Sequence, residues 1–239
     1  MQAALVALPG ARRLAWLEEL RSRWWALVPA GSIVVVIGIV AWEGESATAL
    51  SWLALVAVPP FAALALGWLV HGSRPEWAAA IAPLFAIAWA TQGSLLGEAA
   101  ATALTGLGCV GLGWLLVSVA PGRWLSWGIY AMAAVDTLFV VADLLQGPNA
   151  VLTAAAPSGL PRLQAIHFGA ALMGFGDFFI AATLGCLLAI SARRQLLGAL
   201  LVAVLGLAFD LLFFAVDTLP ATVPVALALG LLQLRDRRV

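Results

Sequence analysis

Residues 165–190 read AIHFGAALMGFGDFFIAATLGCLLAI, an apolar run with a single acidic residue, Asp177, and a single histidine, His167. A helix of about 20 apolar residues crosses the hydrocarbon core of a bilayer, which is about 30 Å thick. In lipid every backbone amide needs a partner inside the protein, so only helices and closed barrels span it. The run lacks the alternating polarity of a barrel strand. It therefore predicts a transmembrane helix.

Similar runs recur along most of the chain. Hydrophobic residues make up 64% of the 239 residues and charged residues only 10%, with a mean hydropathy of +1.05. Roughly a quarter of an average soluble domain is charged, so the chain is predicted to be an integral membrane protein. The predicted spans are residues 24–42, 49–70, 77–96, 99–119, 124–145, 165–190, 197–216 and 219–234. We expect an all-α, polytopic bundle of about eight helices that forms one transmembrane domain over residues 24–239.

Residues 1–23 differ from the rest because they lack a long apolar run. Charged residues alternate with Leu and Trp over residues 11–23, which is typical of a short amphipathic helix in the headgroup region. We therefore expect residues 1–23 to form an interfacial N-terminal segment. The longest predicted loop, residues 146–164, is expected to be flexible and to contain a short helix at 149–156.

The arginines indicate an orientation. There is no Lys, and 11 of the 12 Arg lie in the termini or in loops of one parity, Arg162 being the exception. Short cytoplasmic loops carry an excess of basic residues. Both termini are therefore predicted to be cytoplasmic, in the inner (plasma) membrane of a prokaryote.

Composition also excludes several kinds of chemistry. A retinal or pyridoxal Schiff base requires a Lys amine, so those cofactors are excluded, and we expect no cofactor. A formal net charge of zero gives no indication of a nucleic-acid partner. Cys109 and Cys186 show no metal-binding or redox spacing, and we interpret both as small buried apolar residues.

Four aspartates lie within predicted spans: Asp136, Asp143, Asp177 and Asp210. A charge at this depth costs about 2.5–3.5 kcal/mol even on lenient insertion scales, so such residues are functional candidates. Asp136 and Asp177 are predicted at similar depths on sequential antiparallel helices, about 18 and 20 Å from the inner ends at the helical rise. Asp210 lies at a comparable predicted depth and is a rival for pairing, whereas Asp143 lies about 10 Å nearer the outside.

Two carboxyls at equal depth on adjacent helices can share a proton and a water. Like charges about 3 Å apart cannot both ionise, so one acts as base and the other as acid. The base takes a proton from the attacking water, and the acid stabilises the oxyanion and then protonates the leaving nitrogen. The pair Asp136 and Asp177 thus predicts peptide hydrolysis.

The residues around this pair resemble the presenilin and signal peptide peptidase family of intramembrane aspartyl proteases. Gly174-Phe175-Gly176-Asp177 is similar to the family's G-x-G-D motif. Asp136-Thr-Leu-Phe-Val-Val, followed by Gly147-Pro148, is similar to the segment after the family's first catalytic Asp. Leu219-Pro220-Ala221-Thr222-Val223-Pro224 resembles the Pro-Ala-Leu motif that precedes the family's last helix.

The resemblance covers residues 130–234 and implies a presenilin-like fold with its catalytic half at about 124–234. It implies catalysis by Asp136 and Asp177 and substrate binding by the motif residues, which are Gly174, Phe175, Gly176, Leu219, Pro220, Ala221, Thr222 and Pro224. The expected substrates are transmembrane-helix peptides with cytoplasmic N-termini, including leftover signal peptides. The chain departs from the family at Val135, where Tyr is usual, at Thr222 in place of Leu, and in having eight predicted spans rather than nine.

Other functions leave different signatures. A serine rhomboid needs a Ser and His pair, but His71 lies in a predicted loop and we interpret His167 as an interfacial residue. No H-E-x-x-H zinc motif occurs. Two alternatives remain open: a proton-coupled transporter or channel with an Asp relay, and a non-enzymatic scaffold of Gly-rich helices.

Overall fold

The computed structural model describes residues 1–11, 19, 24, 31, 38, 42–142, 144, 159–168, 171–214 and 219–237. Most of these residues are helical, which confirms the predicted all-α class at this level. The helices are α1 (Gln2–Ala7), α2 (Glu43–Leu64), α3 (Ile81–Ala90), α4 (Leu95–Val119), α5 (Gly122–Val141), α6 (Phe175–Leu188), α7 (Ala192–Asp210) and α8 (Val223–Asp236). The strands are β1 (Ala165–Phe168) and β2 (Ala171–Gly174).

Four segments of the described chain are long and apolar enough to cross a membrane. They are Ala47–Leu69, Leu95–Val119, Gly122–Val141 and Ala192–Asp210. The first of them joins most of α2 to a π-helical turn, Ala65–Leu69. Two shorter apolar segments, Pro75–Ala90 and Phe175–Leu188, lie beside them. These lengths support the interpretation that the chain is an integral membrane protein.

Helix α4 is the centre of the bundle and packs against α2, α3 and α6. Glycines allow the close approach to α2. A Cβ at Gly111 would lie 2.4 Å from the carbonyl oxygen of Phe61, and one at Gly108 would lie 3.0 Å from a methyl group of Val58. Small residues permit this kind of close contact between membrane helices.

Helix α1 lies in the core of the bundle. Leu5 and Val6 are buried against α6 and α7, where a Cβ at Gly185 would come 2.7 Å from the carbonyl oxygens of both residues. Residues 2–7 are therefore part of the packed bundle, whereas the sequence placed all of residues 1–23 in one interfacial segment. Residues 12–18 and 20–23 of that segment lie outside the described residues.

The predicted helix over residues 165–190 is only partly correct. Residues 165–174 contain an antiparallel strand pair, in which Ala165 pairs with Gly174 and Phe168 with Ala171. The helix begins at Phe175 and has 14 residues, about 21 Å at the helical rise. A continuous apolar run has no periodicity that separates a buried strand from a helix, so the sequence pattern could not reveal the hairpin.

Other predicted spans shift at their ends. Span 77–96 is a 3-10 turn, Pro75–Ala80, followed by the short helix α3. The helix predicted at 197–216 begins earlier in the structure, at Ala192. Arg193 and Arg194 therefore lie in the first turn of α7 rather than in a loop. Most of span 24–42 and all of the loop helix at 149–156 lie outside the described residues.

Candidate functional site

Asp136 lies near the C-terminal end of α5 and is half-buried. Its Oδ2 accepts two hydrogen bonds from one residue, Thr222: the backbone N–H donates at 3.2 Å and the hydroxyl at 2.6 Å. Among the described residues nothing donates to Oδ1 of Asp136. One carboxylate oxygen is thus fixed by Thr222.

Asp177 is the third residue of α6 and is also half-buried. Its Oδ2 accepts a 3.0 Å hydrogen bond from the backbone N–H of Gly174, the residue that caps the helix. A carboxylate in the first turn satisfies an N–H that has no helical partner and complements the positive end of the helix dipole. This contact gives Asp177 a structural role and also fixes the direction of its carboxyl group.

Asp136 and Asp177 lie on neighbouring helices. Their helices α5 and α6 are in contact, and both also contact α8. Three helices thus bring together the two aspartates and the Thr222 segment.

The two glycines before Asp177 have different surroundings. A Cβ at Gly174 would lie 3.3 Å from Oδ2 of Asp177, so a larger residue there would press on the carboxylate. A Cβ at Gly176 would have no heavy atom within 4 Å, so Gly176 faces open space. Phe175 between them packs against the core, and its carbonyl oxygen lies 3.9 Å from the Sγ of buried Cys109. Open space therefore lies one residue from the Asp177 carboxyl.

The segment Leu219–Thr222 precedes α8, and its backbone groups are directed to specific partners. Pro220 and Thr222 are buried, Thr222 to 2% exposure, and Pro224 lies in the first turn of the helix. The carbonyl oxygen of Ala221 accepts a 2.8 Å hydrogen bond from the side chain of Gln2. The proline-containing segment is therefore held between α5 and α1.

The remaining acidic candidates are Asp210 and Asp143. Asp210 is exposed at the last residue of α7, about 27 Å from the start of that helix at the helical rise. By the same rise, Asp136 lies about 21 Å from the start of α5, and Asp177 lies about 17 Å from the end of α6. Asp143 lies outside the described residues.

The two histidines and two cysteines occupy other positions. The Nε2 of His71 lies 3.1 Å from Oε1 of Gln195, and His167 lies in β1 opposite Leu172. Cys109 and Cys186 are buried free thiols, as predicted. Within the described ranges no three His, Cys, Asp or Glu side chains are grouped so that they could hold a metal ion.

An apolar groove of about 700 Å³ runs between α5 and α8 and opens at the bundle surface. Its end nearest the site is lined by Thr137 and Val223, which neighbour Asp136 and Thr222 in sequence. Small residues form part of its floor, namely Ala133, Ala134, Ala226 and Gly230. Shape and apolar lining suit a helix that approaches from the lipid.

Sequence reasoning missed Gln2 and Gln195. Gln195 is buried to 2% exposure, and its amide donates to the carbonyl oxygens of Val6 and Pro9 at 3.0 and 2.7 Å. A polar side chain close to an apolar run indicates a buried partner, which is the only signal that could have identified Gln195. Gln2 gave no such signal because its partner is 219 residues away.

The fold and the site together define a class, an α-helical membrane protein with two aspartates and a proline-containing segment at the meeting point of three helices. No protein-family model, curated protein or solved structure matches the chain.

Proposed function

We propose that this protein is an intramembrane aspartyl endopeptidase that hydrolyses peptide bonds of transmembrane helices or leftover signal peptides. The observation that carries the proposal is the convergence of Asp136 and Asp177 from different helices, beside a segment whose Thr222 binds Asp136 directly. The similarity of these same residues to the motifs of presenilin and signal peptide peptidase supports it further.

In the proposed reaction one aspartate takes a proton from a water held between the pair. The water oxygen attacks the scissile carbonyl carbon while the other aspartate gives its proton to the carbonyl oxygen, which yields a neutral tetrahedral diol. Collapse of the diol breaks the C–N bond: the departing nitrogen takes the proton held by the base, and a diol hydroxyl returns a proton to the other aspartate, which restores the pair. The two donors on Oδ2 of Asp136 suit an ionised carboxylate, so Asp136 is the base in this scheme.

The groove between α5 and α8 offers a path for the substrate, because it is apolar and ends at the Asp136–Thr222 contact. A peptide bond inside a helix is shielded, so the substrate has to be extended at the cleavage point. Strand β2 leads into Asp177, and in the described part of the chain only β1 pairs with it. Its second edge and the Leu219–Thr222 segment could hold an extended peptide by strand addition.

The finer topology belongs to the same proposal: about eight spans, both termini cytoplasmic, and the inner membrane of a prokaryote. Arginine placement supports it. Arg194 pairs with Asp236, which joins the start of α7 to the end of α8, and the His71–Gln195 contact brings the loop of Arg74 to the same end. In this orientation the preferred substrates have cytoplasmic N-termini.

The proton-relay alternative makes a different demand on the acidic residues. A transporter in which the aspartates relay protons needs Asp210 as much as Asp177, yet Asp210 is exposed at the last residue of α7, whereas Asp136 and Asp177 are half-buried. The arrangement of the described aspartates favours a two-carboxyl reaction over a relay.

The deciding experiment incubates purified protein in detergent with a single-span reporter, with and without a transition-state aspartyl inhibitor. Wild-type protein is expected to cleave the reporter, and the inhibitor to stop it. Asp136→Asn and Asp177→Asn are each expected to lose cleavage, because neither half of a shared-proton pair works alone.

Asp210→Asn is the matched control, since it makes the same chemical change at an exposed aspartate away from the site. It is expected to retain cleavage. A fully active Asp177→Asn protein would exclude the protease assignment. Loss of proton transport in Asp210→Asn as well as Asp177→Asn would establish the relay in its place.

A further inference from the structure

The peptide group that joins Ala221 to Thr222 is held at both of its edges. Its carbonyl oxygen, that of Ala221, accepts the 2.8 Å hydrogen bond from Nε2 of Gln2. Its N–H, that of Thr222, donates the 3.2 Å hydrogen bond to Oδ2 of Asp136. One planar unit therefore connects the side chain of Gln2 to the carboxylate of Asp136.

Gln2 is itself fixed in place. It is buried to 9% exposure on α1, and the two buried residues one turn further on, Leu5 and Val6, pack in the core. At the far end of this segment Gln195 binds the carbonyl oxygens of Val6 and Pro9. Gly10 and Leu69 add a further backbone hydrogen bond of 2.6 Å. The amide of Gln2 is thus presented from a rigid support.

A hydrogen bond to a peptide carbonyl polarises the whole peptide group, which makes its N–H a stronger donor. It also fixes the plane of the group, because the peptide bond does not rotate freely. The direction of the Thr222 N–H, and with it the position of the Asp136 carboxylate, therefore depends on the contact made by Gln2. Without that contact the Ala221 carbonyl would be left without its donor.

We propose that Gln2 is a positioning residue for Asp136, acting through the Ala221–Thr222 peptide group. The inference rests on the proposed function, because the expected effect of a misplaced Asp136 carboxylate is a slower chemical step. Gln2 does not line the groove between α5 and α8, so binding of the substrate helix does not depend on it directly.

The first test uses Gln2→Met, which keeps the length of the side chain and removes its donor. The number of active sites is counted by titration with a tight aspartyl inhibitor. We expect kcat per titrated site to fall about tenfold, the factor that matches one ordinary hydrogen bond, with KM within about twofold. Gln92→Met, at an exposed loop position, is the matched control and is expected to behave as wild type. An unchanged kcat per site would overturn the proposal.

The second test does not depend on catalysis. Amide hydrogen exchange at Thr222 is expected to quicken about tenfold in Gln2→Met, because its N–H loses a fixed acceptor geometry. If the wild type cleaves nothing and exchange at Thr222 is still faster in Gln2→Met, the proposed function is rejected, but the role of the Gln2–Ala221 contact is supported. If the wild type cleaves the reporter and exchange at Thr222 is unchanged in Gln2→Met, the role of Gln2 is rejected, but the proposed function is retained. If Gln2→Met does not fold, Gln2→Glu, which has no donor when ionised, takes its place.

Discussion

At the scale of single residues, Thr222 connects the proline-containing segment to Asp136 through two donors. Its hydroxyl makes the shorter bond, 2.6 Å to Oδ2. Thr222 stands where the resembled motif has Leu, and a Leu side chain has no hydroxyl to make this contact. The substitution that looked like a departure from the family pattern supplies a hydrogen bond to a proposed catalytic residue.

We expect Thr222→Val, which keeps the shape and removes the hydroxyl, to lower kcat about tenfold through loss of one charge-assisted hydrogen bond. Thr222→Ser keeps the hydroxyl and is expected to stay within about threefold of wild type. Single-turnover cleavage of the reporter measures both. Equal rates for the Val and Ser variants would contradict a functional role of the hydroxyl.

Gly176 provides a second residue-scale prediction. Nothing lies within 4 Å of the position of its Cβ, so Gly176→Ala adds no clash, and Ala gains up to about 1 kcal/mol over Gly in a helix. Thermal unfolding in detergent is expected to show equal or greater stability. The methyl group enters the open space beside Asp177, so cleavage should slow or move to another peptide bond. A variant that is destabilised by more than 1 kcal/mol would show that the space is filled.

Asp136 and Asp177 could be identified from the sequence because carboxylates inside apolar runs are rare and costly. The position of Asp210 at the exposed end of its helix could not be predicted, because it depends on where α7 begins and ends. Continuous apolar runs do not mark those boundaries. The Gln2–Ala221 contact was also beyond reach, since it joins distant positions through one side chain. Local chemistry was predictable, and long-range pairing was not.

At the scale of secondary-structure elements, tight glycine contacts hold α4 against α2. In Gly111→Ala the new methyl group would lie 2.4 Å from the carbonyl oxygen of Phe61, so one backbone has to move. Overpacking of this kind costs about 1–3 kcal/mol, and we expect a lower unfolding temperature. Gly206→Ala on α7, where nothing lies within 4 Å, is the control and is expected to be neutral or stabilising. Equal unfolding temperatures for Gly111→Ala and the wild type would show that α2 and α4 can move apart without loss of stability.

The segment before α8 gives a prediction at the same scale. The double variant Pro220→Ala with Ala221→Leu is expected to impair substrate turnover while the protein stays in the membrane, because Pro220 keeps the backbone before α8 out of a regular helix. Reporter cleavage and membrane fractionation measure the two effects. Wild-type cleavage by the double variant would reduce the segment to a simple helix start.

At the scale of the whole molecule, most of the described arginines lie at one end of the bundle. Arg74, Arg123, Arg193, Arg194, Arg235 and Arg237 lie next to helix ends or loops that meet at one end of the bundle. Arg162 lies with Gln92 and Glu98 in a different pocket. The bundle has a basic end, which supports the proposed cytoplasmic location of both termini.

Reporter fusions test this orientation. A cytoplasm-dependent reporter at the C-terminus is expected to be active, and the same reporter inserted within residues 146–164 is expected to be inactive. A C-terminal fusion that is active only outside the cell would reverse the topology and the proposed preference for cytoplasmic N-termini.

The short helix that carries Asp177 has a consequence for the lipids around it. At about 21 Å, α6 falls about 9 Å short of an average hydrocarbon core. A hydrophobic element shorter than the bilayer is accommodated by local thinning, at a cost that grows with the mismatch. In reconstituted vesicles, turnover should therefore rise as the acyl chains are shortened. A bilayer that is thinner beside the bundle would bring bulk water nearer to the two carboxyls that need it.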